Sequence, residues 1–216
     1  MVYFNGMDSH ELIPLEPRKL TKTNQWLAVR RAKAGEADYV PHLSLADVKA
    51  MLQMVGDRNR LLIQLLFDGC LRCSEAISVR PRDIEQTNNG WQLRIFGKGK
   101  KWSIIAISTS LAAQLQSYAY RKSITPEQRI FPVNRHRVYQ IVSKAMAEAG
   151  IAKPDGVGSV HVLRHSGAIE RLHRTGNPKA VQDQLRHKSA LMTLRYMKTL
   201  SHEESMAIQQ EVDFQW

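Results

Sequence analysis

Hydrophobic residues recur at helical spacing along most of this chain from about residue 43 onward. The clearest early stripe follows Ser44 and consists of Leu45, Val48, Met51, Leu52 and Val55, with Asp47 in its first turn. Apolar residues three and four positions apart share one face of an α-helix, and Ser followed three positions later by an acidic residue is typical of a helix start. This stripe therefore predicts a capped helix that packs against a core.

Similar patterns predict helices farther along the chain. Leu61, Leu62, Leu65 and Leu66 mark a second helix, and a short helix stopped by Pro81 follows it. Cap residues place two more, because Asn134 can begin a helix that ends near residue 150 and Asn177 can begin one at 178–185. The other predicted helices cover about 24–34, 109–118, 160–174, 190–197 and 202–210.

One segment alternates apolar with polar residues instead. Trp91, Leu93 and Ile95 alternate after the turn at 88–90, and a second apolar run begins at Trp102. Alternation is typical of a half-buried strand, and Asn-Gly between such runs is typical of a hairpin. We therefore expect a mainly α protein (α+β), in which a helical domain carries a small three-stranded antiparallel sheet at one edge.

Length and composition favour one sizeable domain. The 216 residues are 43% hydrophobic, which is enough for a packed core. We expect residues 41–216 to form this domain with a C-terminal helix and tail, and residues 1–40 to form an N-terminal arm or remnant linker. The sequence has no apolar run of membrane-spanning length and no signal-peptide pattern, so we expect a cytoplasmic protein that does not enter a membrane.

The charge balance predicts a polyanionic partner. The chain has 31 Lys and Arg residues against 20 Asp and Glu residues, a formal net charge of +11. Residues 131–200 contain twelve of the basic residues but only four of the acidic ones. Basic contacts to phosphates release counterions and so favour nucleic-acid binding. The alternatives are a generic basic surface or, less favoured, a lipid surface, which would need a broad apolar face beside the charge.

Arg72 directly follows an apolar helix, where an arginine needs an anion from the protein or from a ligand. Glu75 can supply that anion, so a structural Arg72–Glu75 bridge and a ligand-binding arginine are both open interpretations. Cys70 and Cys73 form a Cys-x-x-Cys without a second pair of cysteines. We therefore do not expect zinc or redox use of these thiols.

Two further basic groups suggest contacts to phosphates. One is the glycine-rich turn between two strands, and the other is the first turn of a helix, where the helix dipole disfavours cations unless an anion docks there. For each group, an ordinary solvated basic surface is the alternative. The candidates are Lys98, Lys100 and Lys101 in the first group, and Arg135 and Arg137 in the second.

The segment 161–196 concentrates residues that can act on a phosphate ester. His161 and Arg164 are three positions apart and share a helical face, whereas His165 is expected to point elsewhere and to pack or hydrogen-bond. A His161/His165 metal pair lacks the glutamate of His-Glu-x-x-His, so no metal site is expected. Taken alone, His187 is a typical surface histidine and Tyr196 a typical half-buried anchor.

Taken together, five motifs occur in one order. They are Gly-x-Leu-Arg-x-Ser-Glu at Arg72, Gly-Lys-Gly at Lys98, His-x-x-Arg-His-Ser at His161, Leu-x-His at His187 and Thr-x-x-Tyr at Tyr196. In this order and spacing, they resemble the tyrosine recombinases, also called the phage integrase family. The resemblance covers about residues 43–200 and implies a tyrosine recombinase-like fold. No motif is decisive alone, but the set in register is highly specific.

The resemblance implies site-specific DNA recombination without a metal or nucleotide cofactor. Arg72 and Arg164 would neutralise charge on the reacting phosphate, as bidentate arginines do well. Tyr196 would attack the phosphate and form a 3′-phosphotyrosyl bond, and Lys98 would protonate the leaving 5′-oxygen. Integration, excision, inversion and resolution are all outcomes of this chemistry.

The remaining implied roles are supporting ones. His161 would assist acid–base catalysis, His187 would donate a hydrogen bond to the phosphate, and Glu75 would orient Arg72 and nearby histidines. The implied partner is a double-stranded DNA recombination site in the nucleoid. The implied assembly is a homo-tetramer on DNA that exchanges the segment 202–216 in trans.

The chain departs from the family pattern in three places. Arg186 stands where the family commonly has Gly, so it must adopt a positive φ or shift the turn. Met197-Lys198 replaces a frequent Thr-His pair after the tyrosine. Only residues 1–40 precede the catalytic part, whereas members usually carry an N-terminal helical domain that closes around DNA. The short segment before the catalytic part and Arg186 make a catalytically impaired DNA-binding protein one alternative function. A type IB topoisomerase-like enzyme, which shares the chemistry, is the other.

Overall fold

The computed structural model describes residues 40–97 and 101–199. The predicted helices at 24–34 and 202–210 lie outside these ranges, as do Lys98, Lys100 and the segment proposed for exchange in trans. The division into an arm and a catalytic domain therefore stays a prediction. Within the described ranges, no helix is long and apolar enough to cross a membrane.

Helices dominate the described residues. They are α1 (Leu45–Gln53), α2 (Asp57–Asp68), α3 (Cys73–Ala76), α4 (Thr109–Arg121), α5 (Arg135–Glu148), α6 (Ser159–Thr175), α7 (Pro178–Leu185) and α8 (Ala190–Met197). Between α3 and α4 lie a 3₁₀ turn (Pro81–Asp83) and strands β1 (Ile84–Thr87), β2 (Gly90–Phe96) and β3 (Trp102–Ala106). The predicted fold class, mainly helical with a three-stranded antiparallel sheet, is confirmed.

Cap residues begin several helices where the sequence predicted them. The Ser44 hydroxyl accepts the Asp47 N–H at 3.1 Å, and the Asp47 carboxylate accepts the Ser44 N–H at 3.0 Å. Asn134 and Asn177 cap α5 and α7 in the same way. The short helix α3 differs, because it ends at Ala76 rather than at Pro81.

The sheet packs one face on the core and exposes the other. Its order is β1-β2-β3, and the register pairs Phe96 with Trp102 on the exposed face. Gln184 of α7 ties β3 to the helices, because its amide accepts the Ala106 N–H at 3.1 Å and donates to the Ala106 carbonyl at 2.9 Å. The same amide donates to the Gly69 carbonyl at 3.3 Å. This side chain therefore joins the sheet, α7 and the end of α2.

Helices α2 and α6 approach each other closely in the core. A Cβ on Gly167 would lie 2.0 Å from the Phe67 carbonyl oxygen, so α6 accepts only glycine there. Helix α2 buries a row of aliphatic side chains, Leu61, Leu62, Ile63, Leu65 and Leu66. The close contact fixes the loop after α2, where Arg72 lies, against the helix that carries Arg164.

A smaller group of buried residues lies apart from this main core. It comprises Val40, Cys70, Ala168, Ile169, Leu172, Val181, Leu185 and Tyr196. We call it the satellite cluster. Tyr196 of α8 belongs to it, so the predicted nucleophile packs with residues of α6, α7 and the loop after α2.

Candidate active site

Glu75 is the buried carboxylate of the site. Its side chain is 2% exposed, and its Oε1 accepts a hydrogen bond from Arg72 Nη1 at 3.0 Å. Its Oε2 accepts the Arg72 backbone N–H at 2.8 Å. Arg72 stands just before α3, and Glu75 lies on its first turn, so the pair closes the helix start while fixing the guanidinium. The structural bridge that the sequence left open is present, and Arg72 remains 39% exposed.

Arg164 is buried on α6, with only 2% of its surface exposed. Its Nη2 donates to the Leu185 carbonyl at 2.8 Å, and its Nη1 donates to the Cys70 carbonyl. Cys70 has a positive φ of 48°, and its carbonyl serves as one of the two acceptors for the guanidinium. Burial, together with the charges of Arg72 and Arg186, lowers the pKa of Arg164 to about 10. Carbonyl acceptors from the loop after α2 and from the end of α7 therefore fix the direction of this arginine.

Arg186 adds a third arginine beside Glu75. Its φ is 57°, which confirms that the residue at this position bears a left-handed conformation. Its Nη2 donates to Glu75 Oε2 at 2.7 Å, and its side chain is 13% exposed. The sequence predicted that Glu75 would orient Arg72 and histidines. The carboxylate does bind Arg72, and it also binds Arg186, which lies 114 positions farther along the chain.

Tyr196 is buried on α8, with 3% of its surface exposed. Its hydroxyl lies 2.8 Å from His165 Nδ1, and its ring stacks on that of His187 with centroids 6.3 Å apart. Burial raises the pKa of Tyr196 to about 12, and the charge of Arg164 opposes this rise. A phenol with so high a pKa needs a proton acceptor before it can act as a nucleophile.

Three histidines of the site, His161, His165 and His187, lie near the tyrosine. The rings of His161 and His165 meet edge to face with centroids 4.6 Å apart. His187 Nδ1 lies 3.3 Å from Thr193 Oγ1 of α8. Burial lowers the pKa of both His165 and His187 to about 4, helped by nearby positive charges. Partial desolvation, followed by the charges of Arg164 and Arg72, lowers the pKa of the exposed His161. His165 and His187 are therefore neutral at pH 7, and the lowered pKa of His161 favours its neutral form.

His165 corrects one prediction. It does form a hydrogen bond, as expected, but to the Tyr196 hydroxyl rather than away from the site. The signal was present in the sequence, because His161 and His165 are four positions apart and such pairs are neighbours on a helix.

Lys98 lies outside the described residues, but the residues that flank its turn are placed. Gly97 donates its N–H to the Lys101 carbonyl at 3.0 Å, so the described residues on either side of Lys98 are hydrogen-bonded to each other. A Cβ on Gly97 would lie 3.5 Å from Glu75 Oε1. Gly97, the residue before Lys98 in the sequence, therefore lies beside the buried carboxylate.

The predicted DNA-binding residues lie at the surface. Lys101, Arg135 and Arg137 are exposed. Arg137 donates to the Gln140 side chain at 3.0 Å, and Arg135 lies close enough to the Cys73 thiol to lower its pKa against the rise caused by burial. Arg135 therefore lies close to α3, the helix that Arg72 precedes.

The arrangement suits a tetrahedral anion. Arg72 and Arg186 bind Glu75, and Arg164 lies near enough to interact with it electrostatically, so three arginines outweigh one carboxylate. Within 40–97 and 101–199, no group of three or more His, Cys, Asp or Glu side chains could hold a metal ion. What these residues offer is guanidinium donors for an anion, next to a buried phenol with neutral imidazoles around it.

The fold is shared with solved integrases and recombinases. The catalytic domain of bacteriophage HP1 integrase superposes with a TM-score of 0.59 at 20% identity, over 80% of this chain and 95% of that one. XerH site-specific recombinase bound to palindromic difH substrate superposes with a TM-score of 0.65 at 22% identity, over 79% of this chain and 53% of that one. At these identities, the likeness concerns the fold.

Sequence comparison gives the family. The tyrosine recombinase XerC of Nitrobacter winogradskyi is 31% identical over 200 residues, which are 84% of this chain. This chain spans only 61% of the length of that protein. Residues 41–203, well over half of the chain, match the phage integrase family. The chain belongs to the phage integrase family.

Proposed function

We propose that this protein cuts and rejoins DNA strands at a specific site through a covalent 3′-phosphotyrosyl intermediate. The observation that carries the proposal is the burial of the Tyr196 hydroxyl among histidines and close to the Arg164 guanidinium. Family membership supports it, as does the match to XerH, whose crystal structure is described as a post-cleavage complex with difH. Cleavage of a suicide substrate distinguishes this function from the two alternatives, an impaired DNA-binding protein and a topoisomerase-like enzyme.

The arginines supply the electrostatic part of the reaction. Charge builds up on the phosphate oxygens as the phosphorus becomes five-coordinate, and preorganised guanidinium donors stabilise it. Arg72 is partly exposed and held at one nitrogen by Glu75, so it can offer its other donors to the phosphate. Arg164 is held by two carbonyls and completes the clamp from α6.

The covalent step exchanges one phosphate ester for another. The Tyr196 oxygen forms a bond to phosphorus while the bond to the 5′-oxygen breaks, and the phenolic proton passes to a neutral histidine. His161 assists this proton transfer, and His187 donates a hydrogen bond to the phosphate. Lys98 gives its proton to the leaving 5′-oxygen. Because the ester bond is conserved, the 5′-hydroxyl of a second strand can reverse the step without a cofactor.

The substrate and assembly follow from the same chemistry. Double-stranded DNA is the partner that the net charge of +11 favours. Lys100, Lys101, Arg135 and Arg137 contact its backbone. Strand exchange between two duplexes requires several active sites, so we propose a tetramer on DNA in which the segment 202–216 docks on a neighbouring copy. The site of action is the nucleoid of the cytoplasm.

A suicide substrate tests the proposal. Nicked duplexes drawn from the DNA that flanks the coding sequence trap a covalent intermediate, because the short strand diffuses away after cleavage. The wild-type protein is expected to form a protein–DNA adduct that survives denaturing electrophoresis, whereas Tyr196→Phe forms none. The matched control is Tyr120→Phe, which removes a hydroxyl from a side chain that is 89% exposed on α4.

Other outcomes identify the alternatives. An equal adduct from Tyr196→Phe would refute the assignment of the nucleophile. Salt-dependent DNA binding without any adduct on these duplexes would indicate an impaired DNA-binding protein. Plasmid relaxation without preference for a site would indicate a topoisomerase-like enzyme.

A further inference from the structure

Arg186 occupies a backbone position that favours glycine. Its φ of 57° and ψ of 39° are left-handed, and a residue with a Cβ pays a conformational cost there that glycine avoids. The adjacent Leu185 carbonyl accepts from Arg164, and the next residue is His187. An arginine in this strained turn therefore needs a compensating interaction.

The side chain of Arg186 makes that interaction inside the site. Its Nη2 lies 2.7 Å from Glu75 Oε2, and its Nη1 donates to the Gln184 carbonyl at 3.4 Å. Both partners of the ion pair are shielded, with 13% of the Arg186 side chain and 2% of the Glu75 side chain exposed. A shielded pair of this kind is strongly coupled, because removing one partner leaves a buried charge behind.

We propose that Arg186 is a positioning residue that acts through Glu75 to set the direction of the Arg72 guanidinium, an inference that rests on the proposed function. It also anchors the turn that carries His187 to the start of α3. The pair joins the end of α7 to α3, two elements from opposite ends of the domain sequence.

The geometry explains how one arginine can direct another. Glu75 Oε2 accepts both Arg186 Nη2 and the Arg72 backbone N–H, whereas Oε1 accepts Arg72 Nη1. With Oε2 occupied in this way, the carboxylate holds the Arg72 side chain through one nitrogen only. Without Arg186, the carboxylate is free to turn and bind Arg72 as a two-point fork. That fork would withdraw donors from the phosphate.

Arg186 also adds charge to a crowded site. Its positive charge is one of those that lower the pKa of Arg164 and of His187, after the larger effect of burial. Since the side chain is mostly shielded, we expect it to affect the chemical step more than DNA affinity. This separates it from surface residues such as Arg137, whose loss is expected to weaken binding.

The primary test is single-turnover cleavage of the nicked duplex together with DNA affinity by fluorescence anisotropy. Arg186→Gly removes the ion pair and relieves the backbone, and we expect its cleavage rate to fall about tenfold with the Kd for DNA nearly unchanged. Arg186→Lys retains the positive charge and is expected to recover part of the rate. Ser123→Gly relieves another positive φ, of 51°, at an exposed residue on a different loop and serves as the matched control.

A double-mutant cycle tests whether Arg186 works through Glu75. In a Glu75→Gln background, Arg186→Gly is expected to lower the rate by less than about twofold, because the partner is already neutral. Independent, multiplying effects would overturn the proposal. So would a cleavage rate of Arg186→Gly equal to that of the wild type, or a loss that appears equally in the Kd.

An NMR titration tests the position of Arg186 whether or not the protein cleaves DNA. In Arg186→Gly the pKa of His187 is expected to rise from about 4, because one neighbouring positive charge is gone. If the wild type forms no adduct, the proposed function fails, and the titration still tests the position of Arg186. If the wild type forms the adduct but neither the rate nor the His187 pKa changes, Arg186 has no positioning role. A circular dichroism melt confirms that each variant folds, and Arg186→Lys replaces Arg186→Gly if the latter does not.

Discussion

The arginines around Glu75 and the tyrosine on α8 belong to the same site, but different parts of the fold hold them. Arg164 and Arg186 are fixed by carbonyls and by a carboxylate from the ends of α2 and α7 and the start of α3. Tyr196 is fixed by one hydrogen bond to His165 and by packing in the satellite cluster. The arginines are thus tied to several elements, whereas Tyr196, the proposed nucleophile, depends on one short helix.

Exposure along α8 shows the same contrast. Helix α8 buries Thr193 and Tyr196, whereas four of its other apolar side chains reach solvent. They are Leu191 at 73%, Met192 at 55%, Leu194 at 44% and Met197 at 39%. A helix that buries so little of its surface contributes little packing energy, so it can shift without disturbing the main core.

This difference suggests that the arginines and the tyrosine are suited to different parts of the reaction. Preorganised donors stabilise charge best when they do not have to move during the reaction. A nucleophile that forms and later releases a covalent bond benefits from a support that can move. Variants of the arginines and of the residues around the tyrosine test this contrast between a rigidly held and a loosely held part of the site.

Arg164→Ala is expected to lower the free energy of unfolding by about 3 kcal/mol, because the carbonyls of Cys70 and Leu185 lose hydrogen bonds to a charged donor. Urea denaturation at pH 7 measures the change. The control is Arg121→Ala, whose exposed guanidinium lies 3.7 Å from Asp57 and is expected to contribute less than about 1 kcal/mol. Equal losses in the two variants would show that Arg164 is not part of a rigid support.

Acidification is expected to act on the histidines around the tyrosine. The folded-state pKa values of His165 and His187 are depressed to about 4. The folded protein binds protons at these two histidines less readily than the unfolded chain does. Their contribution to the free energy of unfolding is therefore present above the unfolded-state pKa of about 6.5 and is lost as the pH falls toward 4. After allowance for solvent screening, we expect a loss of about 2 kcal/mol between pH 7.5 and pH 5.

Urea midpoints at the two pH values measure this loss. His165→Gln removes one titrating group and is expected to flatten the dependence. A variant that follows the same pH dependence as the wild type would mean that His165 is not the group responsible.

His165→Phe is expected to have the smallest effect, a loss of about 1 kcal/mol from the broken hydrogen bond to Tyr196. Hydrogen exchange adds a local measurement, because amides of α8 should lose protection while those of α2 keep it. Equal loss of protection in both helices would mean that the tyrosine is tied to the main core as firmly as the arginines are.

Much of the fold follows from local patterns. The Ser44 cap, the hairpin turn at Gly90 and the ends of α6 and α7 were predicted from neighbouring residues, and their hydrogen bonds join residues close in sequence. Family membership also follows from local motifs in order. The short helix α3 was placed less well, because Pro81 marks where a helix cannot continue rather than where it ends.

Local spacing suggested the pairing of Arg72 with Glu75, which are three positions apart, as one of two interpretations. For Arg186 the motif pattern left a positive φ or a shifted turn, and the structure has the positive φ. The contact of Arg186 with Glu75 and that of His165 with Tyr196 could not be predicted, because they arise from the packing of separate elements. These contacts join residues 111 and 31 positions apart. Helix packing alone brings such residues within hydrogen-bonding distance, because no local rule of spacing or capping relates side chains on separate elements.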